Sequence, residues 1–325
     1  RELICNGHVN ADFVERCAEG LEQVQATVSE CTPEWAAEIA AVDADLIRKA
    51  AALYASGSAC QILWGLGVTE AGHGSNTVFG LINMAVMTGN IGRPGAGTCP
   101  IRGQNNVQGA SDVGALPNVF SDYRSVTDPQ ARAEHAATWG VEPPDNVGLR
   151  IPDMFDAAHA GTLKAMYILA EDVAQSDPDT THVVGALEKL DFLVVQEIFM
   201  NPTAELADVV LPGTSFLEKE GTFVNSDRRI QRVRPAIEPL AGTRIDGDII
   251  HDIARRMGVD LGFADAGGHI DASKVMDQLA GLSPAWRGVS YARLEDHGFL
   301  QWPCVDDDDP GTEIVHRDGN FLRGK

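Results

Sequence analysis

Three short apolar runs of the sequence end at chemically distinct pairs of residues, and two of the three pairs are acidic or amide side chains. Glu171-Asp172 follow the run KAMYILA, Gln196-Glu197 follow FLVV, and Pro212-Gly213 follow DVVL. Carboxylates and amides suit ribose hydroxyls or the hydrogen-bonding edge of a guanine base. No G-x-G-x-x-G or G-K-[ST] motif follows any of the three runs, so they do not match a loop that cradles bare phosphate. The alternative is that each polar group only caps a following helix.

A second polar segment, residues 89–114, reads GNIGRPGAGTCPIRGQNNVQGASDVG and has few large apolar side chains. A loop of this length inside a compact domain is usually either functional or disordered. The segment lacks charged low-complexity runs, which favours an ordered functional loop that carries Arg102. Without further context, a lone arginine in such a loop is more often a solvated side chain.

Strands and helices alternate around the acidic groups. Residues 164–170 and 192–195 predict strands, residues 180–190 predict a helix between them, and residues 208–211 predict a third strand. Alternation at this spacing predicts an α/β protein with a parallel, doubly wound sheet. Ligands of such sheets bind at the carboxyl ends of the strands, so the three strand ends are expected to lie along one side of the sheet.

The first 90 residues are predicted to be mainly helical. Residues 12–30 have the spacing of one helix, and Thr32 and Asp43 are typical first residues of two more. The run at 60–64 predicts a buried parallel strand that opens into a glycine-rich turn, followed by a helix that ends at Gly89.

The last part of the chain shows less regular spacing. Residues 249–257 predict a helix that Gly258 ends. Glycine and proline then interrupt the chain repeatedly, which predicts an irregular connection over 259–325 that leads into a further domain.

The composition is that of an acidic globular protein. Hydrophobic residues make up 44%, enough to bury a core over roughly two domains. The net charge of −22 repels nucleic acid and anionic membranes, so no nucleic-acid partner is expected. No apolar run approaches the ~18 residues that a membrane span requires. The six cysteines form no C-x-x-C pair, which argues against a disulfide framework or an iron–sulfur site built from these residues.

Three longer segments of the chain carry family-level motifs: PIRGQNNVQGASDVGALPN at 100–118, DTTHVVGALEKLDFLVVQEIF at 179–199, and TAELADVVLPGTSFLEKEGTFVNSDRRIQRV at 203–233. These segments resemble the molybdopterin oxidoreductases, and among them the catalytic subunits of formate dehydrogenases. The run RGQNNVQGA is typical of the formate dehydrogenase branch, whereas ADVVLP and EKEG occur across the wider family. The resemblance extends from about residue 13 to the end of the chain.

The resemblance implies Rossmann-like, doubly wound domains of the molybdopterin oxidoreductase fold, incomplete at both ends. In that family two α/β domains each hold one guanine dinucleotide arm of a bis-pterin molybdenum or tungsten cofactor, and a barrel-like domain covers both pterins. By order along the chain, residues 1–103 resemble the latter half of one α/β domain, residues 104–258 the second, and residues 259–325 the approach to the barrel. The cysteines of a 4Fe–4S cluster and the metal-ligating Cys-His or selenocysteine-His pair would precede Arg1. No residue of this chain is therefore assigned as a metal ligand.

The same resemblance assigns a chemical role to Arg102. In the family, the arginine of the Arg-Gly-Gln motif lies beside the metal and faces the substrate. A guanidinium stays charged and presents a planar fork that holds a carboxylate by two parallel hydrogen bonds. Formate bound in this way would point its C–H bond at the metal centre. The implied reaction is the two-electron oxidation of formate to carbon dioxide, or the reverse.

Cofactor contacts are assigned from the resemblance together with the polar groups at the strand ends. Amides beside a glycine-rich turn can bond pterin nitrogens and phosphate oxygens without adding charge, and a lysine can neutralise pyrophosphate. A solvated lysine is the alternative for Lys219, which lies in a Glu-Lys-Glu stretch. The assigned residues are Leu66, Glu70, Gln104, Asn105, Glu171, Asp172, Gln196, Glu197, Thr203, Lys219 and Asp246.

Two other interpretations remain open from the sequence. One is another branch of the family, such as a nitrate reductase, against which Arg102 in RGQNNVQG argues. The other is a cofactor-free structural relative, such as the large iron–sulfur subunit of respiratory complex I, although the polar residues retained at the strand ends favour a cofactor binder. Under the leading interpretation, the partners are formate or carbon dioxide and electron-transfer subunits of iron–sulfur or flavin/NAD type, and the location is cytoplasmic.

Overall fold

The computed structural model describes residues 1–321 and divides the chain into two compact units. Unit 1 is Arg1–Asn105 together with the segment that begins at Thr312, and unit 2 is Asn106–Gly311. The boundary after Asn105 lies close to the one predicted after residue 103, and unit 2 extends beyond residue 258. Within the described residues, no helix combines the length and the apolar character that crossing a membrane requires.

Unit 1 is mainly helical, with two short strands. Its helices are α1 Glu2–Cys5, α2 Ala11–Cys17, α3 Leu21–Thr27, α4 Pro33–Ala40, α5 Ala44–Ser56, α6 Leu66–Thr69 and α7 Gly74–Met87, its strands are β1 Gln61–Trp64 and β2 Gly97–Pro100, and a 3₁₀ turn lies at Arg317–Gly319.

Both helix starts predicted in unit 1 are confirmed. The hydroxyl oxygen of Thr32 accepts a hydrogen bond from the backbone N–H three residues later, at 3.1 Å. The carboxylate of Asp43 accepts one from the N–H two residues later, at 2.7 Å. Each bond satisfies a donor that the first helical turn leaves unpaired. The prediction of one helix over 12–30 is wrong. α2 ends at Cys17 and α3 begins at Leu21, directly after Gly20, which has a left-handed φ of 84°.

The two strands of unit 1 form a parallel pair, in register over all four residues of each. The parallel strand predicted over 60–64 is confirmed as β1, but the prediction that it is buried is wrong, because only Trp64 of β1 is buried. β2 lies inside residues 89–114, which were predicted to be a loop throughout, so that prediction is wrong for β2. The strand sequence GTCP has no apolar run, and its extended shape depends on pairing with β1, which the local pattern does not show. Arg102 therefore lies two residues beyond the carboxyl end of a parallel strand.

Unit 2 contains two sheets and most of the remaining helices. Its helices are α8 Val107–Asp112, α9 Pro129–Trp139, α10 Ile151–His159, α11 Val173–Ser176, α12 Thr180–Leu187, α13 Pro202–Glu205, α14 Asp246–Arg256, α15 Ala272–Leu282 and α16 Tyr291–His297, with 3₁₀ turns at Ser121–Tyr123 and Pro284–Trp286. Its strands are β3 Ala165–Leu169, β4 Phe192–Glu197, β5 Val209–Pro212, β6 Gly221–Val224, β7 Arg229–Val233 and β8 Phe299–Gln301.

The three strands predicted in unit 2 are confirmed as a parallel sheet in the order β3-β4-β5. This confirms the α/β class. Val183 and Leu187 of α12 belong to one buried cluster with Leu193 and Val195 of β4. Burying an aliphatic side chain of this size contributes about 1.5–3 kcal/mol relative to leaving it exposed, so this cluster fixes the helix on the sheet. We call the side of this sheet at which its strands end the carboxyl edge.

An antiparallel sheet in the order β6-β7-β8 was not predicted. β8, α15 and α16 all lie within 259–325, so the expectation of an irregular connection does not hold over 272–301. Ile230, Trp286, Leu294 and Leu300 form a second core there, each at most 1% exposed. The strands are only three to five residues long and include arginines, so their alternation is too brief to be recognised in the sequence.

Candidate functional site

Three of the predicted residues meet at the carboxyl edge of the parallel sheet. Gln196, which is fully buried, donates from Nε2 to Oδ1 of Asp246 at 2.6 Å. The other carboxylate oxygen of Asp246 accepts a hydrogen bond from Nζ of Lys219. Lys219 Nζ also donates to the carbonyl oxygen of Thr214 at 3.2 Å. We call Gln196, Lys219 and Asp246 the edge network.

Local structure explains why the carboxylate of Asp246 lies at this position. Asp246 is the first residue of α14, where a negative charge is favoured by the unpaired N–H groups and the helix dipole. A Cβ atom on Gly213 would lie 2.5 Å from Asp246 Oδ1, so any other residue at position 213 would collide with this oxygen. The glycine at the end of β5 therefore lets the backbone approach the edge network closely.

Tyr167 of β3 belongs to the same site and was not predicted. Its hydroxyl donates a hydrogen bond to Oε1 of Gln196, which fixes the orientation of the amide so that Nε2 faces Asp246. Burial, and then the negative charge of Asp246, raise the pKa of Tyr167, so the hydroxyl keeps its proton and remains a donor. A signal was present in the sequence, because Tyr167 and Leu169 share one face of β3 and Leu169 is in register with Gln196.

We expect Tyr167→Phe to lower the free energy of unfolding by about 1–3 kcal/mol, because the buried Gln196 oxygen loses its donor. Urea unfolding of the purified chain measures this loss. Tyr54→Phe is the matched control, since the buried Tyr54 hydroxyl has no hydrogen-bond partner within residues 1–321 and its removal should cost nothing. Equal stability of Tyr167→Phe and the wild type would show that Tyr167 does not hold Gln196.

Asp172 and Thr203 form a second hydrogen-bonded group, in which the Thr203 hydroxyl bonds only to atoms of the protein. The hydroxyl of Thr203, a fully buried residue, donates to Asp172 Oδ1 at 2.6 Å and accepts from the backbone N–H of Ala174 at 3.0 Å. Burial by itself would raise the pKa of Asp172, but hydrogen bonds from Thr203 and Gln175 outweigh it and lower that pKa, so the group stays ionised. The Thr203 hydroxyl is thus used inside the protein, in positioning Asp172.

Glu171 and Glu197 differ in what their carboxylates contact. Glu171 accepts a hydrogen bond from the Ser176 hydroxyl at 2.9 Å, and α11 has no side-chain cap, so the capping alternative does not describe this contact. Glu197 accepts from its neighbour's backbone N–H at 2.6 Å and from the Asn201 amide at 3.3 Å. A carboxylate has about four acceptor positions, so Glu197 retains capacity for a ligand N–H group.

The remaining predicted residues belong to unit 1. Arg102, Gln104 and Asn105 are exposed in the segment that follows β2. Leu66 begins α6, and a Cβ on Gly103 would lie 3.6 Å from its Cδ1, so Leu66 lies next to this segment. Glu70 is exposed at the end of α6. Within residues 1–321, no three His, Cys, Asp or Glu side chains converge as a group that could hold a metal ion.

A family model and curated relatives match this chain over most of its length. A family model described as molybdopterin oxidoreductase matches residues 35–256. The F420-dependent formate dehydrogenase subunit alpha of Methanocaldococcus jannaschii is 41% identical over 99% of this chain and 47% of its own length. Formate dehydrogenase H of Escherichia coli is 42% identical over 94% of this chain and 42% of its own length. The chain thus spans a little under half the length of these relatives.

A solved structure shows the same fold. Acetylene hydratase from Pelobacter acetylenicus superposes with a TM-score of 0.67 over 93% of this chain and 43% of its own. The sequence identity is 19%, so this likeness shows the fold alone.

Proposed function

Because this chain belongs to the molybdopterin oxidoreductase family, we propose that it is part of the catalytic subunit of a formate dehydrogenase. The proposed reaction is the two-electron oxidation of formate to carbon dioxide, or the reverse. Its support is the 41% identity with a formate dehydrogenase alpha subunit over 99% of the chain. The proposal concerns the whole subunit, since the chain covers 47% of that relative.

The observation that carries the substrate assignment is the position of Arg102. It is exposed and follows a parallel strand within a segment that reads Arg-Gly-Gln-Asn-Asn. A guanidinium at such a position can bind the two oxygens of formate in its plane and hold the C–H bond in one direction. In a protein with a net charge of −22, a fixed positive group also supplies the local attraction that an anionic substrate needs.

The residues at the carboxyl edge fit the guanine nucleotide arm of a pterin cofactor. The carboxylates of Asp246 and Glu197 can accept hydrogen bonds from guanine N–H groups, and Lys219 can offset phosphate charge. The buried hydroxyl of Thr214 has no hydrogen-bond partner among the described residues, as expected where a polar ligand completes a site. When bound, the molybdenum or tungsten centre of this cofactor would accept the electron pair of formate.

The proposed assembly follows from the same relationship. We assign residues 1–103 to one cofactor-binding domain and residues 104–258 to the second, which holds one guanine dinucleotide arm through the edge network. A 4Fe–4S cluster and electron-transfer subunits of iron–sulfur or flavin/NAD type would carry electrons onward, in the cytoplasm. Leu66, Glu70, Gln104 and Asn105 are proposed to contact the pterin side of the cofactor.

The test measures the reduction of a dye by formate, and the oxidation of the reduced dye by nitrate, with the holoenzyme that contains this chain. We expect formate to reduce a viologen dye, and we expect nitrate not to oxidise the reduced dye. Turnover of nitrate without turnover of formate would overturn the proposal in favour of another branch of the family.

A further inference from the structure

Thr214 is a buried polar residue that the predicted site does not include. It lies two residues beyond β5, and its side chain is 3% exposed. Across residues 1–321, nothing forms a hydrogen bond with its Oγ1 atom. Buried hydroxyl groups are almost always paired, and an unpaired one destabilises the folded chain. Several buried polar atoms of the described residues share this property, and Thr214 differs from them in lying next to the edge network, where a ligand can supply the partner.

The surroundings of Thr214 indicate which ligand this is. Its own carbonyl oxygen accepts a hydrogen bond from Lys219 Nζ at 3.2 Å, and the same ammonium pairs with Asp246. The preceding residue, Gly213, lies so close to Asp246 that a Cβ there would come within 2.5 Å of the carboxylate. Thr214 is thus attached directly to the edge network, on the side of Lys219.

We propose that the Thr214 hydroxyl donates a hydrogen bond to a phosphate oxygen of the nucleotide that binds at the carboxyl edge. This inference rests on the proposed function and adds a contact residue to it. A phosphate oxygen is a charged acceptor, and the unpaired hydroxyl of a residue whose carbonyl oxygen binds the Lys219 ammonium is a matching donor. The guanine edge needs acceptors for its N–H groups, which Asp246 supplies, so the two ends of the nucleotide use different residues.

The experiment compares two nearly isosteric substitutions in the purified 325-residue chain. Thr214→Val removes an unpaired hydroxyl, so we expect the Tm of the free chain to be unchanged or higher. Thr203→Val removes a hydroxyl that makes two hydrogen bonds, so its Tm should fall by about 2–4 °C or more. A Tm for Thr214→Val that falls as far as that of Thr203→Val would mean that its hydroxyl has a structural role, and would overturn the inference.

Calorimetric titration measures the affinity of the wild type and of Thr214→Val for guanosine diphosphate and for guanosine. We expect Thr214→Val to bind guanosine diphosphate about tenfold more weakly or worse, and to bind guanosine as the wild type does. An equal loss with guanosine would assign the hydroxyl to the nucleoside and overturn the phosphate contact. Unchanged binding of both ligands would remove Thr214 from the site and leave the proposed nucleotide site standing. A wild-type chain that binds neither ligand would overturn the nucleotide site and this inference together.

Discussion

Arg102→Lys is expected to lower the formate turnover number of the holoenzyme about 100-fold. The substitution keeps the positive charge but replaces a planar fork with a single donor group on a flexible stem. Formate held at one point can rotate, so its C–H bond is no longer held in the reactive direction. Misplaced reactants in a bound complex commonly lose about two orders of magnitude in rate. The loss should therefore appear in kcat as well as in KM.

Arg102→Ala should be worse than Arg102→Lys, because it leaves the formate anion without a cation in a protein of net charge −22. Cofactor and metal content should stay near wild type in both variants, since the proposed role is orientation of the substrate. The assay is formate-dependent dye reduction, normalised to molybdenum or tungsten content. Arg48→Lys is the matched control, because this partly exposed residue of the same unit forms its ion pairs with the surface carboxylates of Glu34 and Asp45. Wild-type turnover per metal atom by Arg102→Lys would show that Arg102 is not the formate-binding group.

The parallel sheet of unit 2 could be predicted because its strands are apolar enough to be recognised one at a time. Each run ends at a polar pair or at proline, and a helix with spaced valines lies between the first two. The antiparallel sheet could not be predicted in this way. Its strands gain their stability from a core that residues 276–304 complete, far along the chain from β6 and β7. Local periodicity contains no information about such distant packing.

For the candidate site, the sequence predicted which residues belong to it but not which of them bond to one another. The sequence indicated Gln196, Lys219 and Asp246 as site residues, but it did not show that they bond to one another, since 50 positions separate Gln196 from Asp246. Tyr167 and Thr214 were missed for a related reason. In the sequence, each looks like an ordinary strand or loop residue. Tyr167 matters because its hydroxyl donates a hydrogen bond to the amide of Gln196. Thr214 matters because its hydroxyl has no hydrogen-bond partner among the described residues.

Asp246→Ala is expected to cause the largest combined loss of stability and nucleotide affinity in unit 2. The fully buried Gln196 would lose the acceptor of its Nε2 group, which costs about 1–3 kcal/mol of unfolding free energy, and Lys219 would lose its ion pair. Affinity for guanosine diphosphate should fall about tenfold or more, because the carboxylate that accepts guanine N–H groups is removed.

A second substitution at the same position separates the two effects. Asp246→Asn keeps an oxygen that can accept from Gln196 but removes the negative charge, so it should lose less stability than Asp246→Ala while still binding guanosine diphosphate weakly. Asp252→Ala is the matched control on the same helix, since the ion pairs of its carboxylate are with Arg244, Arg255 and Arg256 and not with Lys219. The measurements are urea unfolding and calorimetric titration. Wild-type affinity for guanosine diphosphate in Asp246→Asn would show that the carboxylate serves only to hold Gln196 and Lys219, and the guanine contact would then have to be assigned to Glu197.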